Sequence, residues 1–160
     1  MNDIAQALGA ILAVLLEEEQ GLLRLNELAL AEQRALVSSD YDEIERVSHE
    51  MHIVADQIES SELRRVRMTG AVAESEATLS EILPLADRHG VDGLRDASSR
   101  MILLADQLRA AQEGNARLLL SAVKLRERWV NHVAGMHVST YGAEGKQQIR
   151  QSRGIVSRSA

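Results

Sequence analysis

The chain contains no cysteine and no phenylalanine, has a single proline, and devotes only 2% of its 160 residues to aromatic side chains. Without cysteine it has neither a disulfide framework nor thiolate chemistry. A core without phenylalanine must be built from Leu, Ile, Val, Ala and Met, and the scarcity of proline favours long helices. Since no alternating apolar and polar run is bounded by turn signals, the sequence predicts an all-α fold.

Long uncharged segments are also missing. No stretch of about 18 uncharged apolar residues occurs, so we expect no membrane insertion. Residues 1–4 carry no Lys or Arg, and the apolar segment that follows runs directly into Glu17-Glu18-Glu19. This arrangement does not resemble a signal peptide, and the expected location is the cytoplasm.

The net charge of −6 is unevenly distributed, because residues 139–160 carry +3 and the remainder carries −9. An acidic body argues against nucleic acid as a partner, since phosphate binding requires a basic face. The basic C-terminal residues are too sparse and too poor in apolar side chains for a membrane anchor.

Apolar heptads predict three long helices over about 3–37, 41–73 and 94–138. Asp40, with Glu43 three residues later, is a capping-box-like start for the second helix. The short connection before it favours an antiparallel hairpin along which the third helix packs. We therefore predict an elongated antiparallel bundle of three long helices over residues 1–138, with a short helical connector and a flexible C-terminal tail over 139–160. The connector helix is expected over residues 74–83, ending before Pro84.

The last long helix keeps an unbroken heptad seam from Leu94 to Met136, about 65 Å of α-helix. Its members are Leu94, Ala97, Met101, Leu104, Leu108, Ala111, Asn115, Leu118, Ala122, Leu125, Trp129, His132 and Met136. A lone polar residue such as Asn115 can fix the register of a helical seam. The alternative is that the helix bends or is exposed there, helped by Gly114, and we prefer this second interpretation.

From Ala116 onward a second apolar stripe appears in the same helix. It consists of Ala116, Leu119, Leu120, Val123, Val130 and Val133. One hairpin cannot cover both faces of one helix, so the surplus face must meet something else. Two interpretations have equal weight: a central position in a bundle or a homodimer seam, and a groove that receives a helix of another protein.

No pattern of catalytic or cofactor-binding residues stands out. His49 and His52 lie one helical turn apart, but Glu-x-x-His motifs are absent, so two solvated histidines are the better interpretation. The chain has no Gly-rich phosphate loop and no nucleophile elbow, and Glu17-Glu18-Glu19 is interpreted as a surface charge run. We expect neither an enzyme nor a bound metal or cofactor.

Four segments together carry a family resemblance. They are residues 15–19 (LLEEE), 36–44 (LVSSDYDEI), 114–119 (GNARLL) and 141–146 (YGAEGK). In this order and spacing they resemble the FlgN family of flagellar type III export chaperones. Ser39 stands where the family's turn usually has Gly.

The resemblance implies a cytosolic chaperone that binds the helical C-terminal region of hook-filament junction proteins of the FlgK and FlgL type. Such a chaperone prevents premature assembly of its client, the protein it carries, and delivers it to the export gate. No nucleotide or metal is implied. Family client contacts lie near the last helix and the tail, and here they fall on Leu119, Val123, Val130, Val133 and Tyr141. For Tyr141, packing of an ordinary tail aromatic on the helix end is an equal alternative.

Three other functions are compatible with the sequence. The strongest is a homo-oligomeric helical bundle or coiled-coil adaptor without an export client, and a homodimer is left open in either case. The others are a chaperone for a different type III client, such as the filament cap protein, and a metal-binding four-helix protein.

Overall fold

The computed structural model describes residues 2–74 and 76–140, with side chains as far as residue 134. It contains α1 (Asn2–Ser38), α2 (Tyr41–Ala73), α3 (Leu79–Arg88) and α4 (Leu94–Thr140). No strand occurs in these residues, so the all-α prediction is confirmed. The predicted bounds of the long helices agree with α1, α2 and α4 to within about two residues. None of the described helices is long and apolar enough to span a bilayer.

The chain divides into two units, Met1–Leu118 and Leu119–Ala160, and α4 contributes residues to both. We refer to them as unit 1 and unit 2. The assignment of residues 1–138 to the bundle and 139–160 to a flexible tail stays a prediction, since residues 141–160 lie outside the described part of the chain.

The connection between α1 and α2 is a tight turn built by hydrogen bonds at the end of α1. The Ser39 N–H donates to the Leu36 carbonyl at 3.3 Å, and the Asp40 N–H donates to the Ala35 carbonyl at 2.9 Å. This is the Schellman pattern, and Ser39 has the left-handed backbone that it requires, with φ of 56°. The Asp40 carboxylate then accepts from the Glu43 N–H at 3.1 Å and starts α2, as predicted.

The first two helices run antiparallel and pack tightly at Gly21. A Cβ atom at that position would lie 2.5 Å from Cγ1 of Ile58, so only glycine fits without displacing Ile58. Arg24 pairs with Glu50 on one side of this point and Glu18 with Arg65 on the other. Residue numbers rise along α1 as they fall along α2, as expected for a hairpin.

Within unit 1, α4 runs in the same direction as α1. Arg100 Nε donates to Glu19 Oε1 at 2.7 Å, and Asn26 Nδ2 donates to the Leu104 carbonyl at 3.1 Å. Further along, Asn115 Nδ2 donates to the Ala29 carbonyl at 2.8 Å. Residue numbers therefore rise in the same direction along α1 and along the part of α4 in unit 1.

The core of unit 1 consists of two apolar clusters. One is formed by Leu8, Ile11, Ile82, Ala86 and Leu94, and joins the start of α1 to α3 and the start of α4. The other is formed by Leu25, Leu28, Ala29, Val47, Val54 and Leu108, and joins α1, α2 and α4. All of these side chains are aliphatic, as the composition requires.

The predicted connector helix over residues 74–83 is wrong, because α3 runs from Leu79 to Arg88 and contains Pro84. The Glu81 carboxylate accepts from the Thr78 N–H at 2.6 Å, which starts the helix and lowers the pKa of Glu81. Pro84 is exposed, so water can hydrate the Ser80 carbonyl that lacks its helical donor. The chain then turns into α4 through Gly90 and Gly93, both with positive φ.

Candidate functional site

The described side chains of unit 2 form an uncovered apolar surface. Every side chain from residue 119 to residue 134 is exposed. Seven large apolar residues in this segment are between 44% and 62% exposed: Leu119, Leu120, Val123, Leu125, Trp129, Val130 and Val133. Isolated exposed apolar residues are ordinary, but a contiguous patch of this kind marks a surface for interaction.

Six of these residues lie on two faces of the helix, since successive residues are about 100° apart, and Leu120 lies outside both faces. Leu119, Val123, Val130 and Val133 share one face, which we call the 119–133 stripe. Leu125, Trp129 and His132 share the neighbouring face. There the Trp129 and His132 rings meet edge to face, with centroids 6.3 Å apart and planes at 88°.

The exposure of the second face differs from the sequence expectation. Leu125 and Trp129 occupy heptad seam positions, and we expected them to be covered by the helical hairpin. Both are exposed, so within the described chain neither face of this segment is buried. A central position in a bundle, a homodimer seam and a groove for another protein all stay predictions.

Four of the five predicted site residues thus lie on one exposed face: Leu119, Val123, Val130 and Val133. The fifth, Tyr141, lies outside the described residues. Arg126 falls on the same face as the stripe, and an apolar pattern alone does not reveal it because the residue is charged.

The charge of the two units is opposite in sign. Unit 2 carries seven Lys and Arg residues against Glu127 and Glu144, a net charge of +5, so unit 1 carries −11. In the described segment the basic residues are Lys124, Arg126 and Arg128. A basic surface with apolar stripes favours partners that are both apolar and acidic.

The Glu17-Glu18-Glu19 run is not the surface charge run that the sequence suggested. Glu18 is only 2% exposed, and its two carboxylate oxygens accept from Arg65 Nε at 2.9 and 3.1 Å. Glu19 is also buried and pairs with Arg100 of α4, while Glu17 pairs with Arg64 of α2. Three consecutive acids therefore connect α1 to two different helices.

The two buried acids respond differently to these environments. Burial raises the pKa of Glu18, although the hydrogen bonds and charge of Arg65 act in the opposite direction. The hydrogen bonds from Arg100 lower the pKa of Glu19, which outweighs the effect of its burial. Both acids have basic partners, so their role is to hold helices together rather than to transfer protons.

Asn115 is buried, so the preferred interpretation is wrong in placing it at an exposed site. Its side chain is 4% exposed, and Nδ2 donates to the Ala29 carbonyl and to Glu32 Oε2, both at 2.8 Å. Among the described residues its Oδ1 atom has no hydrogen-bond partner. A buried amide that bonds to two groups on α1 is the arrangement that fixes the register of one helix against another.

The comparisons with known proteins agree with the segments noted in the sequence. A model of the FlgN protein family matches residues 1–149. The chain belongs to the FlgN family. The comparisons with curated proteins and with solved structures give no match. The general role of the FlgN family is that of a flagellar export chaperone, and it is a family of chaperones rather than of enzymes.

Ser39, in the turn between α1 and α2, has a positive φ of 56°. Glycine adopts that conformation without steric cost, whereas an L-residue with a Cβ atom does not. This FlgN-family chain therefore carries local strain at its hairpin.

A second exposed stripe lies in unit 1 of this FlgN-family chain. Leu16, Leu23, Leu30 and Val37 recur every seven residues on α1 and are all exposed. The four side chains are between 39% and 72% exposed, so this stripe is only partly covered within the described residues.

His49 and His52 of α2 are both exposed, as expected for two solvated histidines. Among the described residues, no group of three or more His, Asp or Glu side chains is placed to hold a metal ion.

Proposed function

We propose that this protein is a cytoplasmic export chaperone for hook-filament junction proteins of the FlgK and FlgL type. It binds the helical C-terminal region of the unassembled client through the 119–133 stripe and Tyr141, prevents premature assembly, and delivers the client to the flagellar type III export gate. The proposal takes a three-helix antiparallel bundle as the scaffold and the tail over 139–160 as part of the client site.

The observation that supports this proposal best is the exposure of the 119–133 stripe. Leu119, Val123, Val130 and Val133 are each close to half exposed. Complete burial of such a side chain is worth about 1.5–3 kcal/mol, so covering the exposed half of each contributes roughly 1 kcal/mol. The stripe therefore offers about 4 kcal/mol before the entropic costs of association.

The spacing of the stripe indicates what kind of structure covers it. Leu119, Val123, Val130 and Val133 lie at i, i+4, i+11 and i+14, so they share one helical face along which an amphipathic helix can lay its own apolar side. A client helix laid along this face hides its own apolar side from other subunits. Modest affinity suits an export chaperone, because the client must be released before it is secreted.

The experiment that tests the proposal is co-purification of the full chain with hook-associated proteins of the same bacterium. The Leu119→Asp/Val123→Asp double variant places two carboxylates in the stripe, and we expect it to lose the client. Because both positions are solvent-exposed in the free chain, circular dichroism should show unchanged helicity.

A matched control is available on the same helix. Ile102 and Leu103 belong to unit 1 and are as exposed as the stripe residues. The Ile102→Asp/Leu103→Asp variant should therefore retain the client. If the stripe variant binds as strongly as the unchanged chain, the site is wrong. If the unchanged chain captures no hook-associated protein, the function is wrong.

The tail is tested by a separate change. A chain ending at Val138 lacks Tyr141 and the basic residues beyond it, and we expect weaker client binding.

Light scattering at low concentration addresses the homo-oligomeric alternative, because a permanent dimer that buries the 119–133 stripe leaves no surface for a client.

A further inference from the structure

The 119–133 stripe has a cation at its centre. Residues 119, 123, 126, 130 and 133 follow steps of four, three, four and three, so they lie on one helical face. Four of them are apolar, and Arg126 is the middle member of the series. Arg126 is exposed, like its neighbours on the stripe.

The guanidinium of Arg126 has no partner in the described part of the chain. Neither a hydrogen bond nor a salt bridge to it is formed there, and the nearest carboxylate in sequence, Glu127, lies about 100° further around the helix. In the free chain water hydrates this group, and the aliphatic stem of Arg126 can lie along the apolar stripe. All five N–H donors are available to a ligand.

A helix that covers the stripe removes water from Arg126. Burying a guanidinium without a partner is costly, whereas a bidentate carboxylate satisfies it with the right geometry. We propose that the client helix carries an Asp or Glu between its apolar residues, and that this carboxylate pairs with Arg126. This inference rests on the proposed function, and it narrows the client to an acidic amphipathic helix.

The same cation argues against a second copy of the chain as the occupant. Arg126 is the midpoint of the series from Leu119 to Val133. If two copies pair along the whole stripe, Arg126 therefore meets Arg126 in both the parallel and the antiparallel arrangement. Like charges opposite one another in an apolar seam oppose association. A partner of different sequence, with an acid at the centre, has no such penalty.

The net charges of the two units also favour an acidic partner. Unit 2 has a net charge of +5, whereas unit 1 has −11. An acidic helix is therefore attracted to unit 2 and repelled by unit 1. This long-range effect guides the client to the stripe and raises the association rate, and it weakens as salt is added.

The test uses the full chain and three synthetic peptides of about 21 residues, long enough for several helical turns. Each has Leu at the four apolar heptad positions that face the stripe, and they differ only at the central position, which is Glu, Gln or Lys. Affinities are measured by fluorescence anisotropy for the unchanged chain, Arg126→Glu and Lys124→Glu. Lys124 lies on the polar face, so the two variants change the net charge equally.

We expect the Glu peptide to bind the unchanged chain about tenfold more tightly than the Gln peptide, as measured for close charge pairs at interfaces. The Arg126→Glu variant should reverse the order and prefer the Lys peptide, while Lys124→Glu should keep the original order. Equal affinity for the Glu and Gln peptides would overturn the inference. So would failure of all three peptides to bind, or an equal effect of the two variants.

These outcomes are distinct from failure of the proposed function. If hook-associated proteins bind but the peptides show no preference for Glu, the charge inference falls and the chaperone function stands. If the peptides show the Arg126-dependent preference but hook-associated proteins do not bind, the surface recognises acidic helices of another client.

Discussion

Removing the Arg65 guanidinium should destabilise unit 1 far more than removing the whole Glu18–Arg65 pair. Glu18 is 2% exposed, so Arg65→Met leaves a buried carboxylate without a counterion. Such a change typically costs about 3–5 kcal/mol, and we expect about 3 kcal/mol because the carboxylate can take up a proton. The double variant Glu18→Leu/Arg65→Met replaces the pair by apolar groups and should lie within about 1 kcal/mol of the unchanged chain.

The Glu18→Leu single variant should be the milder of the two. The Arg65 side chain is 13% exposed, and its Nη2 atom lies 3.8 Å from the exposed Glu62 carboxylate. Its guanidinium can therefore turn towards Glu62 and water. We expect a loss of about 1 kcal/mol, of the order of one lost charged hydrogen bond.

The effect of Arg65→Met should also depend on pH. Burial already raises the pKa of Glu18 above its ordinary value of 4.5, and without Arg65 the pKa should rise further. A carboxyl whose pKa is higher in the folded state costs stability as pH rises from the unfolded pKa to the folded pKa. The deficit should thus be largest near pH 7 and shrink as pH falls towards about 4.5.

Urea unfolding followed by far-ultraviolet circular dichroism gives the free energy of unfolding for all four chains. Comparing the single variants with the double variant yields the interaction energy between the two side chains. An interaction energy below about 0.5 kcal/mol, or a deficit of Arg65→Met that does not change with pH, would refute the reasoning.

Three further predictions follow from single residues. Ser39→Gly should raise the free energy of unfolding by about 0.5–1 kcal/mol in urea titrations, because glycine adopts the φ of 56° found at Ser39 without steric strain from a Cβ atom. A loss of stability would contradict the turn geometry. Asn115→Ala should lower the free energy of unfolding by about 1–3 kcal/mol and with it the melting temperature, since it removes the hydrogen bonds to Ala29 and Glu32. An unchanged melting temperature would show that these hydrogen bonds do not form. Trp129 is the only tryptophan and is 62% exposed. Acrylamide should therefore quench its fluorescence efficiently at every protein concentration. Protection of Trp129 from acrylamide that grows with protein concentration would indicate a dimer seam on its face.

Helix positions could be predicted because long apolar periods and turn residues specify them locally. Asp40 predicts the start of α2 and is found there as the N-cap. The predicted connector helix is misplaced because Pro84 does not end a helix here. An exposed proline inside α3 is tolerated, and the Thr78-x-x-Glu81 capping signal was the better guide.

The apolar part of the candidate site was accessible from periodicity, which places Leu119, Val123, Val130 and Val133 on one face. The polar contacts in unit 1 could not be predicted from the sequence. Arg65 lies 47 residues from Glu18, and Arg100 lies 81 residues from Glu19. A charge run with distant partners has the same sequence pattern as a solvated one, so only the packing of α2 and α4 against α1 separates the two cases.

The contacts of α1 between Glu18 and Asn26 restrict how the length of this helix can change. Glu18 contacts α2, Glu19 and Asn26 contact α4, and Gly21 leaves room for Ile58 of α2. Inserting or deleting one residue here rotates everything beyond it by about 100° and would detach both neighbours at once. Insertions and deletions in this part of α1 should therefore be absent among functional relatives, unless they come as whole heptads matched in α2 and α4.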